Sequence, residues 1–264
     1  MRADLYLLRE GHAKSRVEAK KLIESGLALL DGRPIAKPAE EIDPALAHSV
    51  SVIDNGEIRY ASRGGQKLER ALDEFGVSPD GRVALDIGAS GGGFTDCLLR
   101  RGARCVYALD CGSGQLADFL RRDERVLVYE NYNARFLDLK DFPEAPSLVT
   151  MDVSFISQTL IFPAICAMLP FGGELVTLVK PQFEVGRSGV GKGGIVKSEA
   201  LRRSAIERVR EAAAPFGWEC RGVIDSPILG GDGNAEYLAH FVIPAPIRDG
   251  KDDYEKDFAS NKRV

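Results

Sequence analysis

The chain has no CxxC pair and an odd number of cysteines, Cys97, Cys105, Cys111, Cys166 and Cys220, which argues against a disulfide framework and against a zinc site. All five read as reduced core residues, and no metal is expected. No apolar run approaches the ~18–20 residues a membrane-spanning helix needs. The opening residues, MRADLYLLREGHAKSR, interrupt their few apolar positions with charge, so neither a membrane partner nor a secretion signal is expected and the chain reads as cytoplasmic. A global basic excess is also missing. The net charge is −4 at neutral pH, so any nucleic-acid site has to be local. What is present, 264 residues with 44% hydrophobic and 28% charged, is a globular composition that accommodates one large domain or one large and one small.

The chain divides near residue 60. Apolar residues around Leu5, Leu7 and Leu8 predict a short helix ended by Gly11, and Ser15 with Glu18 three residues on forms a capping-box signature for a second helix bearing Val17, Leu22 and Ile23 and stopped by Gly26. Strand-like LALL follows, then a tight Asp31-Gly32 turn, RPIAKP, and a last strand Ser49–Ile53 before a turn at Asn55-Gly56. Residues 1–60 are thus a small α+β module. From Gly65 a helix places Leu68, Ala71, Leu72 and Phe75 on one face. Thereafter the runs VALDI, VYAL, VLVY, SLVTMDV and ELVTLV alternate with turn and helix segments such as QLADFLRR and QTLIFPAICAML, the βα rhythm of a doubly wound parallel sheet over 61–246. A charged helix, Ser198–Phe216, leads to two strands, Glu219–Ile224 and Tyr237–Ile243, placed antiparallel at the sheet edge. The polar tail 247–264 is expected to be poorly ordered.

The first α/β strand runs into Gly88-Ala89-Ser90-Gly91-Gly92-Gly93-Phe94, with Thr95 opening the next helix. A dinucleotide fingerprint needs glycine at 88, 90 and 93, and position 90 is Ser, which disfavours a pyrophosphate. Asp110, 22 residues beyond Gly88, ends the second strand, where a carboxylate can accept both ribose hydroxyls of a nucleoside. S-adenosylmethionine, with ribose and adenine but no phosphates, fits this loop better than NAD. Asn133, after the third strand, either hydrogen-bonds the adenine or caps the next turn. At the end of the fourth strand Asp152-Val153-Ser154-Phe155 lacks the paired prolines of amino-group methyltransferases, and Cys166, the nearest thiol for carbon methylation, sits in an apolar helix. An oxygen acceptor remains the best fit.

The module GHAKSRVEAKKLIESGLALLDGRPIAKP resembles the small RNA-binding domain named for ribosomal protein S-four. In order and wording, SRGGQKL, GASGGGFTD, MDVSFIS, LVKPQFE and GNAEY are similar to the TlyA (hemolysin A) family of ribosomal RNA 2′-O-methyltransferases, which belongs with the FtsJ-like ribose methyltransferases. The resemblance implies a Rossmann-like, S-adenosylmethionine-dependent sheet and cytidine in ribosomal RNA as the target. It also implies a catalytic set on Lys67, Asp152, Lys180 and Glu236. Asp152 would also face the cofactor, which the resemblance and the loop together assign to Gly88, Ala89, Ser90, Gly92, Gly93, Phe94, Asp110 and Asn133. By position alone, Asp152 and Lys180 end strands, where open α/β sheets bind ligands.

Residues 1–37 carry eight Lys/Arg against five Asp/Glu, and 38–60 carry one against five. Lys14, Arg16, Lys20 and Lys21 cluster at the start of the second helix, with Arg2 and Arg33 as neighbours and Arg63 at the domain junction. These are expected to meet phosphates of ribosomal RNA or of ribosomal subunits. The loop Gly186–Gly194, rich in Gly and Lys, is longer than a plain connector needs and is expected either to close on RNA or to be simply mobile. Two rival readings are a non-catalytic RNA-binding or assembly factor, which the complete charged set disfavours, and a cytolysin, which lacks an apolar span.

Overall fold

The computed structural model describes residues 1–13, 15–24, 26–44, 46, 48–52, 59–169, 172–230 and 233–244. Lys14, the Asn55-Gly56 turn and the tail 247–264 lie outside the described residues. The first helix, α1 (Ala3–Arg9), and α2 (Arg16–Glu24) form the helix pair. Ser15 Oγ accepts the Glu18 N–H at 3.1 Å, the cap its spacing predicts. Val17 is 65% exposed, contrary to its expected core position, because Ala19, Leu22 and Ile23 fill the buried face of α2. Strands β1 (Ala28–Leu30), β2 (Arg33–Pro34) and β3 (Val50–Val52) form an antiparallel sheet in the order β2-β1-β3. Asp31 (φ 51°) and Gly32 (φ 78°) make the hairpin turn, with the positive φ angles a two-residue connection favours. A separate apolar cluster that includes Leu7, Leu22, Ile23, Leu30 and Ile35 holds this unit together.

The remainder is built on a seven-stranded sheet. In chain order its parts are α3 (Gly64–Phe75), β4 (Val83–Ile87), α4 (Gly93–Arg100), β5 (Cys105–Leu109), α5 (Asp118–Arg121), β6 (Val126–Tyr129) and β7 (Leu148–Met151). Then come α6 (Phe162–Met168), β8 (Gly173–Val179), α7 (Pro181–Glu184), α8 (Glu199–Ala213), β9 (Glu219–Asp225) and β10 (Tyr237–Ile243). The spatial order is β6-β5-β4-β7-β8-β10-β9. The first five are parallel, and β10 runs antiparallel to both neighbours. All five residues of β4 are buried, as both faces of a parallel sheet must be. One apolar layer joins α3 and α4 to the sheet; the other joins α6, α8 and Trp218 to the opposite face. Three local expectations fail. QLADFLRR yields only the single turn of α5, and Cys111 is exposed because it lies in the loop beyond β5. Thr95 lies inside α4 instead of opening it.

A polar staple closes the sheet at the amino-terminal ends of its strands. Arg82 Nη1 lies 2.5 Å from Glu174 Oε1 and its Nε donates to Ser147 Oγ at 3.1 Å. His240 Nε2 is 2.8 Å from Glu174 Oε2, with the imidazole stacked on Phe75 at 5.4 Å. The hydrogen bond from His240, reinforced by Arg82, holds the Glu174 carboxyl down at about 2 despite its partial burial. A carboxyl depressed in the folded state contributes stability above its unfolded pKa, near 4.3, and loses it as pH falls through about 2. Glu174→Gln is therefore expected to cost about 2 kcal/mol at pH 7 and little at pH 2. Urea melts at the two pH values check this, and an equal loss at both would count against the staple.

Candidate active site

The opposite, carboxyl-terminal edge of the sheet is where the charged residues gather. Asp152 follows β7 and its N–H donates to Ile87 O at 2.9 Å. Lys180 follows β8. Tyr237 pairs with Val179 in the antiparallel register of β10 on β8, so Glu236, the residue before β10, arrives at the level of Lys180. Lys67 comes from the first turn of α3, against the same edge. The four residues form two ion pairs: Lys180 Nζ to Asp152 Oδ1 at 2.6 Å and Lys67 Nζ to Glu236 Oε2 at 2.5 Å. Lys180 also donates to Ser154 Oγ at 2.8 Å, a partner the MDVSF stretch contained but sequence reasoning did not single out. The Lys67–Glu236 pair is buried, and a Cβ on Gly230 would come within 2.4 Å of Glu236 Oε1. Glycine at 230 is what lets the loop before β10 lie over this carboxylate.

A cavity of about 230 Å³ opens beside them, lined by Lys67 and Asp152 and by Gly88, Ala89, Ser90, Gly93 and Phe94. Gly88 takes φ 83°, and a Cβ there would sit 2.3 Å from Asp152 O. The loop can therefore touch the end of β7 only without a side chain. Gly92 does not face the cavity. Its missing Cβ is replaced by Leu120 Cδ1, 2.2 Å from where it would lie, so this glycine serves the packing of α4 against α5. Ser90 adopts φ 46° and turns its N–H onto Asp110 Oδ2 at 2.8 Å, while Gly112 N–H donates to Asp110 Oδ1 at 2.7 Å. Each Asp110 oxygen keeps one acceptor site. Asp110, Gln115, Val128 and Glu130 line a second hollow of only about 10 Å³, which Ser90 Oγ and Gln115 Oε1 bridge at 3.1 Å. Asn133 lines neither hollow; its side chain accepts the Arg135 N–H at 3.1 Å, so the capping alternative holds in this structure. Leu229, 59% exposed, and Ile228 form the outer lip, and no periodicity marked either.

Beneath the glycine loop lies a residue that sequence reading passed over. Asp86, the fourth residue of β4, is fully buried and accepts hydrogen bonds from Thr95 Oγ1 at 2.7 Å and Thr150 Oγ1 at 2.9 Å. Burial away from water pushes its carboxyl up to about 7, against those two hydrogen bonds. Its signal was an acidic residue inside an apolar strand.

The expected basic face of the small unit is largely ion-paired. Asp4, 4% exposed, lies 3.0 Å from both Arg2 Nε and Arg16 Nη2, and these guanidiniums hold its carboxyl down at about 2. Arg33 pairs with Glu40 at 2.8 Å and Lys20 with Glu24 at 3.7 Å. Lys21 is exposed. Arg63 is exposed at the rim of the 230 Å³ cavity.

The FtsJ-like methyltransferase pattern matches residues 60–242 and the S4 domain pattern matches residues 1–45. The chain belongs to the FtsJ-like methyltransferase family. It is 44% identical over 237 residues to the 16S/23S rRNA (cytidine-2′-O)-methyltransferase TlyA of Mycobacterium tuberculosis, covering 90% of this chain and 88% of the relative. It is 43% identical over 244 residues to Hemolysin A of Brachyspira hyodysenteriae, covering 92% and 100%. A solved structure described as "Putative hemolysin from Streptococcus thermophilus" superimposes with a TM-score of 0.72 at 40% identity, covering 98% of this chain and 94% of that one. Among the described residues, no helix is long and apolar enough to cross a membrane.

The raised Asp86 carboxyl has a testable consequence. Between the unfolded pKa, near 3.9, and about 7 the folded protein holds a proton that the unfolded chain has released, so this group lowers stability as pH rises through that window. Asp86→Asn imitates the protonated acid. Relative to wild type the variant is expected to gain about 2–4 kcal/mol between pH 4 and pH 8, measured by denaturant melts. A pH-independent difference would show that Asp86 is ionised when buried.

Proposed function

We propose that this family member transfers a methyl group from S-adenosylmethionine to a ribose 2′-hydroxyl of ribosomal RNA, with cytidine as the target nucleotide. The observation that carries the reading is the convergence of two Lys–carboxylate pairs at the mouth of the glycine-loop cavity. The cavity suits a nucleoside donor without phosphates. The Ser90 N–H, which a pyrophosphate would require, is spent on Asp110, and Asp110 retains acceptor sites for ribose hydroxyls. S-adenosylmethionine, when bound, supplies a methyl group on a positively charged sulfur. The new bond joins that carbon to the ribose oxygen, the carbon–sulfur bond breaks with its electron pair left on sulfur, and the hydroxyl proton must depart. Placing the oxygen in line and receiving or offsetting its charge is the work left to the protein.

Lys180 is the group we assign to that oxygen, with Asp152 and Ser154 fixing its ammonium from two sides. Lys67 and Glu236 close the other wall. The relatives' ribosomal RNA specificity and the N-terminal domain support RNA as the substrate, and a ribosomal RNA substrate supports a cytoplasmic location. All four charged residues are assembled, which disfavours a purely structural RNA-binding role.

Lys180→Ala is expected to lower single-turnover methylation of ribosomal RNA by ~10²–10⁴, with fold and cofactor binding retained. Lys180→Arg keeps the charge but accepts no proton. It should fail if Lys180 is the base and partly survive if Lys180 is an electrostatic clamp. Near wild-type turnover in Lys180→Ala would move the catalytic centre elsewhere.

Asp110→Ala removes the ribose acceptor and also frees the Ser90 and Gly112 N–H groups. S-adenosylmethionine affinity, measured by calorimetric titration, is expected to fall by roughly 1.5–3 kcal/mol. Unchanged affinity would reject the assignment.

A further inference from the structure

Between Glu184 and Glu199 the chain has three cations, Arg187, Lys192 and Lys197, and no acidic residue. All three are exposed, and among the described residues none of them forms an ion pair. That sets them apart from the arginines matched to carboxylates elsewhere, among them Arg82, Arg101, Arg104 and Arg121. A cation already paired has to lose that partner to bind an anion. These three do not.

The segment is fastened at both feet to the active site. Its first foot is α7, which begins immediately after Lys180. Glu184 at the end of α7 accepts from Ser157 Oγ at 2.6 Å and Gln158 N–H at 3.0 Å, and Arg208 donates to its carbonyl at 3.0 Å. The second foot is held by two side chains, of which Arg202 donates from Nη1 to Val196 O at 3.2 Å and to Lys197 O at 3.0 Å. Asn234, 1% exposed, accepts the Val196 N–H on Oδ1 at 3.0 Å and donates from Nδ2 to Gly194 O at 2.9 Å. Its own carbonyl accepts the Gly230 N–H at 2.9 Å, and it stands two residues before Glu236. A single buried amide thus links the basic loop to the segment that delivers the Glu236 carboxylate.

We propose that residues 186–197 are a clamp for the RNA phosphates flanking the acceptor ribose, and that Asn234 is the positioning residue that registers this clamp against Glu236. The inference rests on the RNA methyltransferase reading above. Phosphate contacts position a nucleic acid without reading its sequence, and a loop rooted in Lys180 and Glu236 positions the backbone relative to the groups that act on the ribose.

The test uses the full-length chain with purified 16S and 23S ribosomal RNA. Arg187→Gln with Lys192→Gln is expected to raise KM for RNA about tenfold with less than a twofold loss of kcat. The log–log salt dependence of RNA binding should flatten by about 0.7–0.9 per lost phosphate contact. Asn234→Asp keeps the acceptor for Val196 but faces Gly194 O with an oxygen, and it should raise KM for RNA while leaving S-adenosylmethionine affinity unchanged. Combining all three changes should add nothing further, because one clamp is being removed twice. An active wild type with unchanged KM and salt slope in the double variant overturns the clamp, and additive effects remove Asn234 from it. A wild type that methylates neither the free RNAs nor the ribosomal subunits that contain them overturns the functional reading itself.

Discussion

The active-site edge depends on the strand β10 running backwards between β8 and β9. In a purely parallel sheet every strand would deliver its last residue to the carboxyl edge. Here an antiparallel strand delivers its first, so Glu236 meets Lys67 from α3 and stands level with Lys180. The two pairs bring charges of opposite sign together at a rim where the sheet's apolar layers end. Pairing matters there because an isolated buried charge would be strongly destabilising.

The two edges of the sheet divide structure from chemistry. At the amino-terminal edge Arg82, Glu174 and His240 tie the starts of β4 and β8 and the middle of β10 into one hydrogen-bonded group with Ser147, just before β7. At the carboxyl edge the polar groups face a cavity. Asp86 lies between them, buried under the loop and held by Thr95 and Thr150, so the glycine loop, α4 and β7 share one polar anchor in an otherwise apolar layer.

The two basic regions differ in kind. On the N-terminal unit Arg2 and Arg16 share the buried Asp4, which holds their guanidiniums in fixed directions and halves their net charge. In the loop after α7 the cations stand without carboxylate partners among the described residues. The first arrangement favours geometry and the second favours charge; RNA approached by both would be oriented by one and gripped by the other.

Local chemistry was legible in the sequence wherever neighbours in the chain are neighbours in space. The Ser15 cap, the Asp31-Gly32 turn, the βα alternation and the glycine loop each depend on a few consecutive residues, and each forms as its spacing predicts. Position at a strand end marked Asp152 and Lys180, but the set of four was legible only through family resemblance, since 169 positions separate Lys67 from Glu236 and no local pattern joins them. Strand order and register decided the rest. They paired Lys180 with Asp152 and Lys67 with Glu236 and turned Gly92 toward Leu120. They also brought Asn234 to Val196, for the physical reason that packing and hydrogen bonding between distant segments carry no signature in either one alone.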